Sequence, residues 1–125
     1  MSNYLELKML DHFTGRASTS APSNVYVSLW TSDPTDAGSG NELSGSAYAR
    51  QAITWSAASG GAIANAAITD FPTATGSWGT ITHFGISDAA SSGNLLFHGA
   101  LSASKAIGTG DIFRIAAAGI TITAA

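Results

Sequence analysis

The clearest strand pattern in the chain is Asn24-Val25-Tyr26-Val27-Ser28-Leu29-Trp30. Val25, Val27 and Leu29 alternate with residues of mixed polarity, and a period of two is typical of a β-strand. Because both alternating sets contain large side chains, we expect both faces of this strand to be partly buried. The pattern therefore predicts that a β domain begins at residue 24.

Downstream of this strand, short apolar segments alternate with turn residues. Six further strands are predicted: Ala47–Trp55, Gly61–Thr69, Thr80–Ser87, Asn94–Leu101, Asp111–Ile115 and Ile120–Thr123. Ser59-Gly60-Gly61 predicts a hairpin between the second and third strands. Asp88–Gly93 joins a later pair, and Asp70-Phe71-Pro72 should interrupt pairing, because proline has no N–H to donate. The pattern predicts a mainly β fold, an antiparallel β-sandwich or barrel of jelly-roll-like type, with one short N-terminal α-helix.

Few large side chains are available for the core of such a fold. We expect the core to be built from these aromatic residues: Trp55, Phe71, Trp78, Phe84, Phe97 and Phe113. Trp55, Phe84 and Phe97 in particular are expected to be buried. Truncating one of these three to alanine should then cost about 3–5 kcal/mol.

A helix is predicted over Tyr4–Thr14. Asn3 followed three residues later by Glu6 matches a helix start with a reciprocal cap. Gly15 is suited to end the helix in a left-handed conformation, with Arg16 beside the last carbonyls. Residues 1–16 are therefore interpreted as a helical extension of the β domain at residues 24–125, within one domain.

The apolar residues of this helix form one stripe. Leu5, Met9 and Phe13 recur at four-residue spacing, with Leu10 beside them. A helix of about three turns is marginal alone, so it must pack on something. Two interpretations remain open: the stripe closes one end of the β core, or it docks on a neighbouring subunit.

The longest segment without a predicted element is Thr31–Ser46, which contains acidic residues, a proline and three glycines. Loops of this length inside compact domains are usually functional or are ordered by a partner. We therefore expect this loop to contact a neighbour, as the helix does. The predicted assembly interface consists of Tyr4, Leu5, Met9, Phe13, Trp30, Asp33, Glu42 and Arg50.

Charge is scarce in this chain. Charged residues make up 10% of the sequence and the net charge is -3, whereas soluble domains carry roughly 25%. A small protein with so few charges tends to associate, so we expect other subunits to cover much of its surface. The lack of a basic field argues against a nucleic-acid partner. Neither a membrane span nor a signal-peptide pattern is found, so neither a membrane partner nor secretion is expected.

Residues that could carry chemistry are few and scattered. His83 and His98 lie on strands that could be neighbours, but zinc needs three or four ligands and the chain has no cysteine. Asp33, Asp36 and Glu42 could supply oxygen ligands for calcium, but their spacing does not match a helix–loop–helix calcium loop. We therefore expect no metal, no cofactor and no enzymatic activity.

Two arginines stand in predicted strands. Arg50 and Arg114 are each expected to pair with a carboxylate or to reach across an interface, where the planar guanidinium suits bidentate contacts. The alternative, an exposed arginine that aids solubility, remains open.

Several motifs follow one another along the chain. They are Val25-Tyr26-Val27-Ser28-Leu29-Trp30-Thr31-Ser32-Asp33-Pro34, Glu42-Leu43-Ser44-Gly45, Tyr48-Ala49-Arg50-Gln51, Phe71-Pro72, Trp78-Gly79-Thr80-Ile81-Thr82-His83-Phe84-Gly85-Ile86 and Gly93-Asn94-Leu95-Leu96. With the opening helix, this succession resembles a family of small tailed-bacteriophage virion proteins, often labelled phage tail fibre protein. The resemblance covers nearly the whole chain. It implies a virion component without enzymatic activity, made in the cytoplasm of the host bacterium.

The position within the virion is a separate question. Tail fibres generally gain length from coiled coils, β-helices or collagen-like repeats, and this sequence contains none of them. The favoured prediction is therefore a dimeric or trimeric capsid decoration or cement protein bound to the major capsid protein, where symmetry repeats one modest contact. A tail fibre or tail-associated adaptor is the alternative. A host-surface glycan-binding module is a third, which an exposed Trp30 or Trp78 would favour.

Overall fold

The computed structural model describes residues 1–124, which contain helix α1 (Asn3–Phe13) and eight strands. The strands are β1 (Val25–Trp30), β2 (Gln51–Ile53), β3 (Ala62–Ala64), β4 (Thr69–Asp70), β5 (Gly79–Ser87), β6 (Leu95–Ile107), β7 (Arg114–Ile115) and β8 (Thr121–Thr123). All paired strands are antiparallel. The predicted fold class, mainly β with a short N-terminal helix, is confirmed. The sandwich or barrel shape and the single-domain organisation stay predictions.

The largest sheet has four strands in the order β2-β1-β5-β6. In β1, Val27 pairs with Gln51 on one side and with Ile86 on the other. Ser28 and Leu29 point to opposite faces, and both are fully buried. The expectation that β1 is covered on both faces is therefore confirmed.

Two small sheets complete the β structure. One pairs β3 with β8 and the other pairs β4 with β7. The predicted hairpin before β3 is confirmed, because Ser59 and Ala62 exchange two backbone hydrogen bonds. Gly60 and Gly61 both have positive φ, the conformation that a tight two-residue hairpin turn requires.

The core is more aliphatic than the sequence suggested. Phe71, Trp78 and Phe113 are buried, as expected, among these side chains: Val27, Leu29, Ile53, Ala74, Ile81, Ile86, Ile107, Ile115 and Ile120. The other three predicted anchors, Trp55, Phe84 and Phe97, pack against this core but remain half-exposed. Their predicted burial is wrong, because the buried core is filled largely by branched aliphatic side chains, among them Val27, Leu29 and Ile81 of the central strands.

Four of the predicted strands differ from the structure by more than one residue. Asp111–Ile115 is reduced to β7. Ala47–Trp55 is reduced to β2, since Ser46 and Ala47 have φ of 52° and 68° and form a turn. Gly61–Thr69 is divided into β3 and β4. The strand predicted over Asn94–Leu101 continues to Ile107.

The extension of β6 contains a bulge. Ile81 of β5 lies opposite Lys105, whereas His83, two residues further on, lies opposite Ala100. The β6 side therefore holds three extra residues at this point. The second half of β6 consists mainly of small and polar residues. It therefore lacks the alternating hydrophobicity by which a strand is recognised in a sequence.

Helix α1 begins one residue earlier than predicted. Ser2, not Asn3, is the N-cap, and its hydroxyl accepts a hydrogen bond from the Leu5 N–H at 3.2 Å. At the other end Gly15 has a φ of 77°, as expected for the residue that ends a helix. Among residues 1–124, no helix is long and apolar enough to cross a membrane.

Candidate assembly surfaces

The start of α1 is hydrogen-bonded to the first residues of β6. The backbone N–H of Ser2 donates to the Leu96 carbonyl at 2.8 Å, and that of Asn3 donates to the Asp36 carbonyl at 3.0 Å. The Ser2 hydroxyl also donates to the Leu95 carbonyl, and Ser2 is 1% exposed. One end of the helix is therefore held by buried hydrogen bonds.

The rest of α1 leaves its apolar side chains in solvent. The helix has no buried residue. Phe13 is 79% exposed, Leu7 65% and Leu10 62%, and Tyr4 and Met9 are also exposed. Leu7, Leu10 and Phe13 recur at three-residue spacing and lie on one side of the helix, and exposed apolar side chains grouped in this way usually mark an interaction site. We call Glu6, Leu7, Leu10 and Phe13 the outward face of α1.

The two interpretations of the apolar stripe can now be compared. Of the stripe residues only Leu5 is half-buried, at a shallow cleft that Leu96 and Pro22 also line. The stripe therefore does not close the β core of its own chain. Docking on a neighbour stays a prediction, and the sequence-based set missed Leu7, which a period of three through Leu7, Leu10 and Phe13 would have revealed.

The long loop at residues 31–46 is held by an ion pair. Arg50 Nε donates to Glu42 Oε2 at 2.8 Å and Arg50 Nη2 donates to Glu42 Oε1 at 2.7 Å. Arg50 Nη1 donates to the carbonyls of Ala89 and Ser92, at 2.9 and 2.8 Å. One half-buried guanidinium thus joins the long loop to the turn between β5 and β6.

Tyr48 also binds Glu42, and we call Glu42, Tyr48 and Arg50 together the clamp. The Tyr48 hydroxyl donates to Glu42 Oε2 at 2.7 Å and accepts from the Leu29 N–H of β1 at 3.1 Å. Burial raises the pKa of Glu42, but hydrogen bonds from Arg50 and Tyr48 outweigh it, so the pKa lies below the usual 4.5. Burial, together with the Glu42 carboxylate, raises the pKa of Tyr48, and the hydrogen bonds to Glu42 raise the pKa of Arg50.

Three of the predicted interface residues thus make their main contacts within their own chain. Glu42 and Arg50 bind each other, and Trp30 is 6% exposed with its indole N–H donating to Ser28 Oγ at 2.8 Å. Asp33 lies within the long loop and is exposed. The interface role of these four residues stays a prediction, and the geometry favours the helix. Trp78 is also buried, so neither tryptophan offers the exposed ring that a glycan-binding module would use.

The histidines make local contacts. His98 Nε2 lies 2.8 Å from Asp36 Oδ1, and its Nδ1 lies 3.7 Å from Asp33 Oδ1. His83 Nδ1 lies 2.8 Å from the Thr82 hydroxyl. His98 therefore links the long loop to β6. Within residues 1–124, no group of three or more His, Asp or Glu residues is arranged to hold a metal ion.

The second strand arginine also pairs with a carboxylate. Arg114 Nε donates to Asp70 Oδ1 at 2.6 Å and Nη2 donates to Asp70 Oδ2 at 3.1 Å, across the β4–β7 pair. The hydrogen bonds lower the pKa of Asp70 and raise that of Arg114. The first of the expectations for Arg50 and Arg114, pairing with a carboxylate, is confirmed for both.

A second apolar surface lies at the far part of β6. A groove of about 450 Å³ runs between β6 and the β7–β8 segment. We call it the β6 groove. Its apolar lining consists of Phe84, Ala100, Leu101, Ala103, Phe113, Ile115, Ala116 and Ile120. Lys105 and Arg114 supply the charged atoms of its lining.

The whole described fold lies within one family match. A family model described as "Podophage GP4 fiber I protein gp80" matches residues 1–123. No curated protein matches the chain. The matched range includes α1, all eight strands and both surfaces described above.

Proposed function

The chain belongs to the podophage GP4 fiber I protein gp80 family, and we propose that it is a non-enzymatic subunit of a phage tail fibre, joined to its neighbours through the outward face of α1. The family is one of phage fibre proteins, so the chain is a virion structural protein. The family match supports the proposed fibre role, and the exposed apolar side chains of α1 support the proposed mode of attachment.

The single observation that carries the proposal is the exposure of α1. An 11-residue helix with no buried side chain contributes little to its own chain's core. Nevertheless it is anchored through Ser2 by buried hydrogen bonds, and it presents Leu7, Leu10 and Phe13 to solvent. A partner that covers these side chains would recover the hydrophobic free energy that the folded chain leaves unused.

The charged groups support a structural role. The Asp70–Arg114 pair and the His98–Asp36 contact join segments that are distant in sequence, and Arg50 joins Glu42 of the long loop to the carbonyls of Ala89 and Ser92. Groups held in this way position loops and strand ends. Asp36, Glu42 and Arg50 also line a cleft of about 380 Å³ beside the start of α1, but each of them is already bound to another group of the chain. This use of charge favours a subunit that keeps its shape under load.

The family match favours a fibre over the capsid decoration protein that the sequence had suggested. That suggestion depended on the lack of a length-building repeat in the chain. A compact subunit can still build an elongated structure when the same contact is repeated between copies. We therefore retain capsid decoration only as the competing outcome of the experiment.

The test is localisation in purified virions. An epitope tag after residue 124 should be detected by immunogold electron microscopy at the tail, in a small number of copies relative to the major capsid protein. Label spread over the head in hundreds of copies would instead establish decoration. Absence of the protein from intact particles would refute a virion role altogether.

A pair of variants tests the proposed contact in the same particles. Phe13→Asp places a charge on the outward face and should abolish incorporation. Because Phe13 is 79% exposed, the change should leave folding intact. Ile68→Asp is the matched control, because Ile68 is also exposed, at 57%, but lies outside α1 and outside the β6 groove. Equal incorporation of both variants would refute the role of α1.

A further inference from the structure

The outward face of α1 combines apolar side chains with one carboxylate. Glu6, Leu10 and Phe13 are spaced at i, i+4 and i+7, so they lie along one side of the helix. Asp11, the other acidic residue of the helix, already pairs with Arg16 at 3.2 Å. Glu6 has no ion-pair partner among residues 1–124.

The β6 groove shows the complementary combination. Its walls are apolar, and Lys105 has no ion-pair partner among residues 1–124. Of the other four basic residues, Arg16, Arg50 and Arg114 form ion pairs, and Lys8 lies over the Tyr4 ring of its own helix at 5.8 Å. Among residues 1–124, the groove therefore carries a cation without an ion-pair partner, and the outward face of α1 carries the carboxylate of Glu6, which has none either.

The two surfaces lie apart on one molecule. Helix α1 starts at the Leu95 end of β6, whereas Lys105 belongs to the other end. Their β5 partners, Ser87 and Ile81, are six residues apart, which corresponds to about 20 Å of strand. Phe13, at 79% exposed, does not enter the groove of its own chain.

We propose that the outward face of α1 of one copy seats in the β6 groove of a second copy, with Phe13 and Leu10 against the apolar walls and Glu6 beside Lys105. The groove has room for these groups, since a cavity of about 150 Å³ already holds a benzene ring. This inference rests on the proposed function and names the partner of the α1 surface as the chain itself.

The contact joins two different surfaces, so each copy keeps one unused helix and one unused groove. A contact of this kind closes into a ring when the rotation between copies permits, and otherwise continues as a filament. A fibre base or a fibre shaft can be built in this way without coiled coil or repeat.

The first experiment reverses the two charges, with sedimentation velocity of the purified full chain over a concentration series as readout. Glu6→Lys and Lys105→Glu should each weaken self-association about tenfold or more, because like charges then face each other. The double variant should recover association close to that of the wild-type chain. Single variants that associate like the wild type, a double variant that does not recover, or a wild-type chain that stays monomeric would each overturn the proposal.

A mixing experiment separates this contact from a symmetric one between two helices. Phe13→Asp removes the helix surface, and Ala103→Trp fills the groove at an exposed position. Each variant alone should be monomeric, and a mixture should give dimers and nothing larger. If Ala103→Trp still self-associates like the wild type, the groove is not involved and the proposal fails.

Failure of this inference is distinguishable from failure of the proposed function. If the chain is found at the tail in virions but does not self-associate, the fibre role stands and the proposed contact between α1 and the β6 groove is refuted. A chain that self-associates through the groove but is absent from virions gives the reverse result. Ile68→Asp should match the wild type in both assays.

Discussion

The four-stranded sheet and helix α1 use their apolar side chains in opposite ways. Val27, Leu29 and Ile81 of the sheet are fully buried, whereas α1 has no buried residue and Phe13 is 79% exposed. The sheet obtains its stabilisation from contacts within the chain, so its hydrophobic residues explain the fold. The helix gains little in this way, and association with a partner is the explanation that we propose for its hydrophobic residues.

The comparison also shows where hydrogen bonding replaces packing. Ser2 fixes the start of α1 by buried hydrogen bonds to the first residues of β6. No residue of the helix itself is buried by the rest of the chain. A helix held at one end only can present a rigid surface while leaving most of its side chains to a partner. Removing that surface should therefore affect assembly far more than folding.

The largest expected effect contrasts the two regions directly. Ile81→Ala removes a fully buried side chain and should lower the free energy of unfolding by about 2–5 kcal/mol. Phe13→Ala should change it by less than about 0.5 kcal/mol in dilute monomer. Urea unfolding followed by tryptophan fluorescence measures both. Comparable losses for the two variants would mean that α1 is part of the core.

A buried amide should show an intermediate effect. Asn65 is 2% exposed; its Nδ2 donates to the carbonyls of Ala67 and Ala116, and its Oδ1 accepts from the Ile120 N–H at 2.9 Å. Asn65→Ala leaves these groups without their partner and should cost about 1–3 kcal/mol. Asn24→Ala, at an exposed position, is the control for the same unfolding measurement. An equal effect of both changes would show that this linkage is not needed.

The smallest stability effect should depend on pH. The pKa of Glu42 is lowered in the folded chain, so the stabilisation by the clamp is complete above the ordinary pKa of 4.5 and is lost as pH falls through the lower folded value. The protection of residues 31–46 against amide hydrogen exchange, expressed relative to the intrinsic exchange rate at each pH, should therefore decrease as the pH falls below 4.5. Glu42→Gln should show fast exchange in this loop already at pH 7 and lose that acid dependence. An unchanged loop in the variant would show that His98 and the backbone alone hold it.

The sequence was informative where local pattern and tertiary structure agree. The alternation in β1 and in β5 is visible because each face of these strands is set by packing within the sheet. Gly60 and Gly61 predicted their hairpin because a tight turn with positive φ has a strong residue preference. The helix and its glycine end were predictable for the same reason.

The parts that the sequence did not reveal depend on distant contacts. Ser46 and Ala47 adopt positive φ although neither is glycine, so the early end of a predicted strand had no local signal. The choice of Ser2 as the cap depends on carbonyls of β6, more than 90 residues away. The pairing of Arg50 with Glu42 and two loop carbonyls likewise follows from the fold, and it occupies two residues that seemed suited to an interface.

The most direct test of the central claim, that the outward face of α1 is covered by a partner in the virion, is hydroxyl-radical footprinting by mass spectrometry. The modification rate of Phe13 should be several-fold lower in intact particles than in dilute isolated protein, with that of Ile68 as reference. Protection of Phe13 and Leu10 relative to Ile68 is the predicted result. Equal modification of Phe13 in particles and in free protein would contradict the account.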